Sequence, residues 1–334
     1  MRWTEAQVIE FIEETFETRK DISPKGIGDD CAVIDFSGAD KGYALITTDA
    51  SVEHVHFNLD WMTLADAAYR CMTSNISDIA AMGAYAGAFT LALGLNPRHD
   101  ADEIREAICA IKSCIQDHGL DKCWLIGGDV VRSEHTFFSI TLLAENPSWP
   151  LIYRNGAQPG DFILAVGNIG MSAAGLDILS SKHHVDKEKK LFQTFVQAFK
   201  RPRACTQLGP AIAQNQLATA MMDISDGIYS DLTRLLHQSH CAAQIDLESF
   251  TPSPEMRTAA EILHANPIDW MTCGGEDFGL LMTCKEKNVK IIDALARECR
   301  LPCLNIGKCI PGTGISWQLH GKTIDKVNTG FLHF

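Results

Sequence analysis

Residues 43–57 read YALITTDASVEHVHF, and the acidic pair Asp29 and Asp30 lies just upstream. Tyr43 to Thr48 is a short, mostly apolar run with the composition of a strand, and it predicts a turn at Thr47, Thr48 and Asp49, three oxygen-bearing side chains. Three later stretches repeat the plan: NISD ends at Asp78, IGGD ends at Asp129, and MMDISDG carries Asp223 and Asp226. Each sets a carboxylate at the end of an apolar segment. Carboxylates gathered at such ends bind something cationic.

The 334-residue length suits two domains of about 150 residues better than one core. A hydrophobic share of 46% and a charged share of 21% are ordinary for a globular protein, and nothing predicts long disorder. The net charge of −13 without a Lys/Arg run excludes a nucleic-acid surface, which needs clustered cations. An anionic ligand near these aspartates therefore needs divalent cations between the two. Twelve cysteines at irregular spacing contain no CxxC pair; the nearest neighbours are Cys109 with Cys114 and Cys299 with Cys303. Reduced thiols in a cytoplasmic protein are the expectation. MRWTEAQVIEFIEETF, at the start, has acidic residues inside its apolar stretch and reads as neither signal nor membrane span.

Taken in order, the chain predicts an amphipathic helix over Thr4–Arg19 with a Thr4/Gln7 capping box, then a Pro/Gly loop delivering Asp29 and Asp30 to a strand at Cys31–Phe36. Thr63 opens a helix of small residues, expected to bend at Asn75–Asp78 and end near Gly83. Strands follow at Ala88–Leu95, Cys123–Ile126 and Thr136–Ala144, with a helix from Asp100 to about His118. Gly127, Gly128 and Asp129 read as a turn after the Cys123 strand, Gly128 allowing close approach of a ligand. ENPSWP, Glu145 to Pro150, is the predicted boundary between domains 1–145 and 146–334. Beyond it come a strand at Phe162–Val166, a glycine turn whose N–H groups suit a phosphate, helices to Asn215, a strand at Thr219–Met222, a helix over Ile228–His240, and a turn with Glu276 and Asp277 before another strand. Mixed order of this kind predicts an α+β architecture of two domains, a mixed sheet with helices followed by an α+β domain.

The aspartates point to chemistry as a set. Magnesium takes hard oxygen ligands and is usually held by a few carboxylates together with substrate phosphates. One aspartate alone is more simply a helix cap or a turn residue; jointly they predict several magnesium ions holding a nucleoside triphosphate. Thr47 and Thr48 offer neutral oxygens, although strand threonines are commonly just packed. His54 and His56, flanking Val55 at strand spacing, are expected on one face. Arg154 is either a surface arginine or a fork for polyphosphate. No GxxxxGK[ST], GxSxG or HExxH sequence occurs. Direct phosphoryl transfer needs none, since positioning and charge neutralisation lower most of its barrier.

GIGDDCAVI, LITTDASVEHVHF, NISDIAAMGA, IGGDVVRS, RNGAQPGD, MMDISDG and CGGEDF stand in that order between Gly26 and Asp277. Together they resemble the thiamine-monophosphate kinase family, of the superfamily that includes aminoimidazole ribonucleotide synthetase, selenophosphate synthetase and a hydrogenase-maturation protein. The resemblance implies ATP-dependent phosphorylation of thiamine monophosphate to thiamine diphosphate, with several Mg2+ ions, in a homodimer that pairs through its N-terminal domain. It implies Asp30, Thr47, Thr48, Asp49, Asp78, Asp129, Asp223 and Asp226 as metal ligands, the aspartates 49, 78, 129 and 223 forming the catalytic set. It implies Gly128, Asp129, Arg154 and Ser225 as ATP contacts, and His56, Glu276 and Phe331 as thiamine contacts. His54, Met171 and Phe278 depart from the family's usual Gly, acidic residue and Tyr. The alternatives left open are a selenophosphate or aminoimidazole ribonucleotide synthetase-like enzyme, for which Cys31 lacks the expected setting, and a nucleotide-binding sensor without activity.

Overall fold

The computed structural model describes residues 29–35, 43–145, 147–181 and 189–324. The expected Thr4–Arg19 helix and Phe331 lie outside the described residues. The first sheet has five strands, β1 (Ala32–Asp35), β2 (Tyr43–Val52), β3 (Ala86–Leu95), β4 (Trp124–Arg132) and β5 (Phe137–Glu145), in the order β1-β2-β5-β3-β4. All neighbours are antiparallel except β3 with β4, which run parallel. A parallel pair needs a crossover, and helix α2 (Ala101–Asp117) supplies it. Asp100 caps that helix, its carboxylate accepting the N–H groups of Asp102 and Glu103 while Glu103 returns the bond, as the sequence predicts.

Two sequence expectations fail in this sheet. The turn expected at Thr47–Asp49 is the middle of β2, because pairing with β5 runs unbroken from Ala44↔Glu145 to Val52↔Phe137 and carries the strand past the polar residues. The turn expected at Gly127–Asp129 lies inside β4. A Cβ on Gly128 would stand 2.0 Å from the Leu91 carbonyl oxygen, so glycine is required there by the neighbouring strand.

Helix α1 (Leu64–Ala81) is capped by Thr63 in a capping box with Asp66, and all its residues but Ser74 and Asp78 are buried. It runs straight through the Asn75–Asp78 bend expected from sequence. Asn75 and Ser74 each donate a side-chain hydrogen bond back to the Cys71 carbonyl, at 2.8 and 2.9 Å, so their polar groups are met without breaking the helix. Small residues give α1 close neighbours on every side. It packs on β2 and β5 and, on its far side, touches the second half of the chain.

That second half holds a seven-stranded mixed sheet in the order β12-β11-β8-β10-β6-β9-β7. Its strands are β6 (Phe162–Val166), β7 (Ala220–Ile224), β8 (Ala242–Asp246), β9 (Gly279–Cys284), β10 (Cys303–Ile310), β11 (Ile315–Leu319) and β12 (Lys322–Ile324). β6, β7 and β9 are buried along almost their whole length, which is why they read as continuous apolar runs. Helices α3 (Met171–Ser180), α4 (Lys190–Lys200), α5 (Leu208–Gln214), α6 (Ile228–Ser239), α7 (Pro254–Leu263), α8 (Pro267–Cys273) and α9 (Glu286–Glu298) complete the half. α1 meets β7, α4 and α5, so the two sheets are held to one wedge. Among the described residues no helix is long and apolar enough to cross a membrane.

Candidate active site

The wedge brings distant aspartates together. Asp30 precedes β1, Asp78 sits on the last turn of α1, and Asp223 lies near the end of β7. One carboxylate oxygen from each falls within 4.8 Å of the other two. Asp30 and Asp223 are buried, whereas Asp78 is only half-buried, so the trio opens to one side. Thr47, on the buried face of β2, donates its hydroxyl to Asp78 at 2.6 Å, and Ser77 donates to Asp223 at 2.8 Å.

Such crowding has an electrostatic signature. Burial, followed by the charges of Asp49, Asp223 and Asp30, pushes the Asp78 carboxyl well above the usual range. Burial and then Asp30 push Asp223 up to about 8. Asp49 is raised too, by burial above all, with a Ser74 hydrogen bond and His56 opposing and Asp226 and Asp30 reinforcing. Its backbone N–H donates to the Asn75 side chain at 3.1 Å, which pins β2 to α1. Carboxylates that raise one another in this way are short of positive charge, and their hard oxygens with a threonine hydroxyl beside them fit a divalent cation of the magnesium type.

Arg154 supplies the cation present in the chain. Its guanidinium makes a two-point pair with Asp30, Nε to Oδ2 at 3.1 Å and an Nη to Oδ1 at 2.8 Å. Its backbone N–H lies 3.3 Å from both Asp29 carboxylate oxygens. Burial works against the guanidinium charge, but Asp30 outweighs it and holds the pKa above its ordinary value. The surface-arginine reading of the sequence is therefore replaced by a largely buried ion pair.

The remaining sequence-predicted residues are spread around this centre. Thr48 faces away from Asp78, donating to the Ile140 carbonyl at 3.0 Å and pairing with Thr141. Asp129 is exposed on β4, its Oδ1 accepting the Val130 N–H at 2.9 Å. Asp226 pairs with Arg234 at 2.5 Å, and the Ser225 and Asp226 N–H groups both donate to Asp231 at 3.1 Å, which shapes the loop between β7 and α6. Glu276, at φ +64°, pairs with Arg70 of α1 at 2.5 Å, and its N–H donates to the Ser225 carbonyl at 2.7 Å. His56 accepts the Val52 N–H on Nδ1 at 3.1 Å.

The strand expected through His54 and His56 is a tight turn. His54 donates its N–H to the Phe57 carbonyl, His56 donates to the Val52 carbonyl, and His54 adopts φ +65°. The two rings consequently part, His54 toward His135 and His56 toward β2. The phosphate-receiving glycine turn is also otherwise engaged: Gly170 and Ser172 donate their N–H groups to Asp277 at 2.6 and 3.0 Å. Sequence reasoning missed Arg70, Ser77, Asp231 and Arg234. Arg70 and Ser77 find their partners, Glu276 and Asp223, in other elements, so nothing local marks them, whereas Asp231 and Arg234 stand three residues apart on α6, a spacing that was the one available signal.

A two-domain α+β chain with carboxylates clustered where its halves meet defines a class. The AIR synthase related protein N-terminal domain matches residues 28–145 and the corresponding C-terminal domain matches residues 158–320. The thiamine-monophosphate kinase of Salmonella typhimurium is 31% identical over 330 residues, covering 98% of this chain and 97% of that protein. That of Escherichia coli strain K12 is 33% identical over 312 residues, 92% of this chain and 91% of the other. Among solved structures, AaThiL complexed with AMPPCP and TMP superposes with a TM-score of 0.83 at 27% identity, covering 100% of this chain and 99% of that one. The hydrogenase maturation protein HypE in complex with ATP shares the fold alone, at a TM-score of 0.67 and 16% identity. Within the AIR synthase-related class, the chain belongs to the thiamine-monophosphate kinase family.

Proposed function

We propose that the chain transfers the γ-phosphoryl group of ATP directly to the phosphate of thiamine monophosphate, giving thiamine diphosphate and ADP. The observation that carries this reading is the convergence of Asp30, Asp78 and Asp223 from three elements within 4.8 Å, each with a polar or cationic neighbour. Asp30, Asp78 and Asp223, with Thr47, Thr48, Asp49, Asp129 and Asp226, would hold Mg2+. Ions so held would supply the positive charge that neutralises a triphosphate.

The chain's own groups do the positioning. Arg154 is a fork held next to Asp30 and would face polyphosphate if Mg2+ were bound by its carboxylate partner. Gly128, Asp129 and Ser225 complete the ATP contacts. Glu276, steadied by Arg70, presents negative charge to the thiazolium or aminopyrimidine of the acceptor. His56, held beside β2 by the Val52 N–H, is proposed as a second thiamine contact. Phe331 is proposed as the third thiamine contact.

We read the chain as domains 1–145 and 146–334, each containing one whole sheet. We further propose a homodimer through the first domain, supported by the exposed strand β4, and cytoplasmic work, supported by twelve cysteines none of which is in a disulfide, as suits a reducing compartment. The test of the reaction is coupled ADP release with Mg2+, using thiamine monophosphate and, as control, thiamine. ADP formed with the monophosphate alone is expected. Tight ATP binding without turnover would instead make the chain a nucleotide sensor.

A further inference from the structure

A second group of ligand-type side chains stands outside the aspartate cluster. Glu53, His54 and His135 each offer one donor atom, and all three atoms lie within 4.8 Å of one another. Glu53 is 2% exposed, whereas both imidazoles are exposed. His54 Nε2 is 3.7 Å from Glu53 Oε1, and the two histidine rings meet edge to face with centroids 5.4 Å apart. Two donors each bonded to a tetrahedral ion at about 2.1 Å stand roughly 3.4 Å from one another. Small rotations of two solvent-exposed rings therefore close the set.

Two further features bear on the group. His54 occupies φ +65°, in the left-handed region that glycine enters at less strain and that His240, His264 and His320 enter as well, which turns its ring out of the strand and toward His135. Glu53 is fixed from behind, its Oε2 accepting the Thr136 N–H at 3.1 Å, in the way outer partners orient a ligating carboxylate. Arg98 pairs with the same Oε1 that faces His54, but its side chain is half exposed and has room to swing into solvent when another cation arrives. Two imidazoles with one carboxylate suit Zn2+, Ni2+ or Cu2+; magnesium prefers oxygen ligands and water.

We propose that Glu53, His54 and His135 bind one divalent transition-metal ion of the zinc type, with water completing its coordination, and so tie the turn after β2 to the loop before β5. The site is independent of the kinase reading. The test uses the metal-stripped full chain with excess Mg2+ to saturate hard-oxygen sites, titrated with Co2+ read in the visible and then with Zn2+ in competition. The expected result is one ion per chain, bound roughly tenfold or more weakly by His54→Gly and by His135→Gln, and unchanged in Cys109→Ser, since Cys109 is the exposed thiol. His54→Gly relieves backbone strain and His135 is exposed, so both variants keep the fold, which circular dichroism verifies. Affinity equal to wild type in both histidine variants, or a near-ultraviolet thiolate band in the Co2+ spectrum, would overturn the proposal.

Discussion

Asp78 illustrates how a single side chain serves the site at the expense of the fold. Its carboxylate is pushed up by burial and by three neighbouring aspartates, so in the absence of cations its charge is unwelcome. Asp78→Asn should cut turnover by at least about a hundredfold, the scale seen when one preorganised charge-stabilising group is lost. In EDTA the same variant should melt at or above wild type, because one of several repelling charges is gone. A drop in both activity and melting temperature would mean that the residue's role is packing. His118 gives the opposite case. Its Nδ1–H donates to the Cys114 carbonyl at 2.7 Å while Nε2 accepts the Ala204 N–H at 3.0 Å, a pattern only the neutral ring can make. Burial, and after it Arg203, lowers its pKa. A base with a depressed folded pKa contributes stability that is complete above the unfolded value, about 6.5, and is lost as pH falls through the folded one. His118→Ala should therefore cost about 1–3 kcal/mol in urea unfolding at pH 7.5, for the buried N–H left without an acceptor. At pH 5 the difference from wild type should shrink. A difference that does not change with pH would dismiss the titration.

At the scale of elements the site depends on how closely α1 approaches the second half. Gly209 on α5 faces the backbone of Ala80, and a Cβ there would lie 2.0 Å from the Ala80 carbonyl oxygen. Gly209→Ala must push α5 and α1 apart, at about 1–3 kcal/mol for an overpacked contact. Because Asp78 rides on α1 and Asp223 on β7, kcat should fall more than stability accounts for; equal kcat at reduced melting temperature would show that the wedge tolerates the shift. The same contact shows what a sequence can reveal. β6 was legible to the residue, since FILAV is a continuous apolar run between turn residues, and the α2 cap was legible because a capping box is local. Only the first part of β4 was, through the run Cys123–Ile126; its continuation was not, because Gly127 and Gly128 look like a turn unless the neighbouring Leu91 is known to need the missing side chain of Gly128. The aspartates could be nominated from their repeated placement at segment ends, but the Arg154–Asp30 and Arg70–Glu276 pairs join residues far apart in the chain, and no local pattern encodes them.

For the whole molecule, the unusual surface is β4. Among the described residues it is the last strand of its sheet, all nine of its residues are exposed, and Trp124, Ile126 and Val130 are 66%, 63% and 67% exposed. An open edge with apolar side chains on both of its faces invites pairing with another chain, and a soluble protein keeps such an edge only when something covers it. A net charge of −13 disfavours indiscriminate self-association, which leaves a specific and self-complementary contact as the economical cover. Sedimentation should give twice the 36.7 kDa chain mass. Val130→Lys, or Ile126→Lys, should shift it to the single-chain mass, because a lysine there sets like charges together across a two-fold axis. Asp129 lies between these two positions on the same strand, so loss of the dimer should also weaken ATP binding if that carboxylate contributes where the proposal puts it. Monomeric variants with unchanged ATP affinity would separate the two roles and move Asp129 out of the site, while variants that remain dimeric would place the contact on another face.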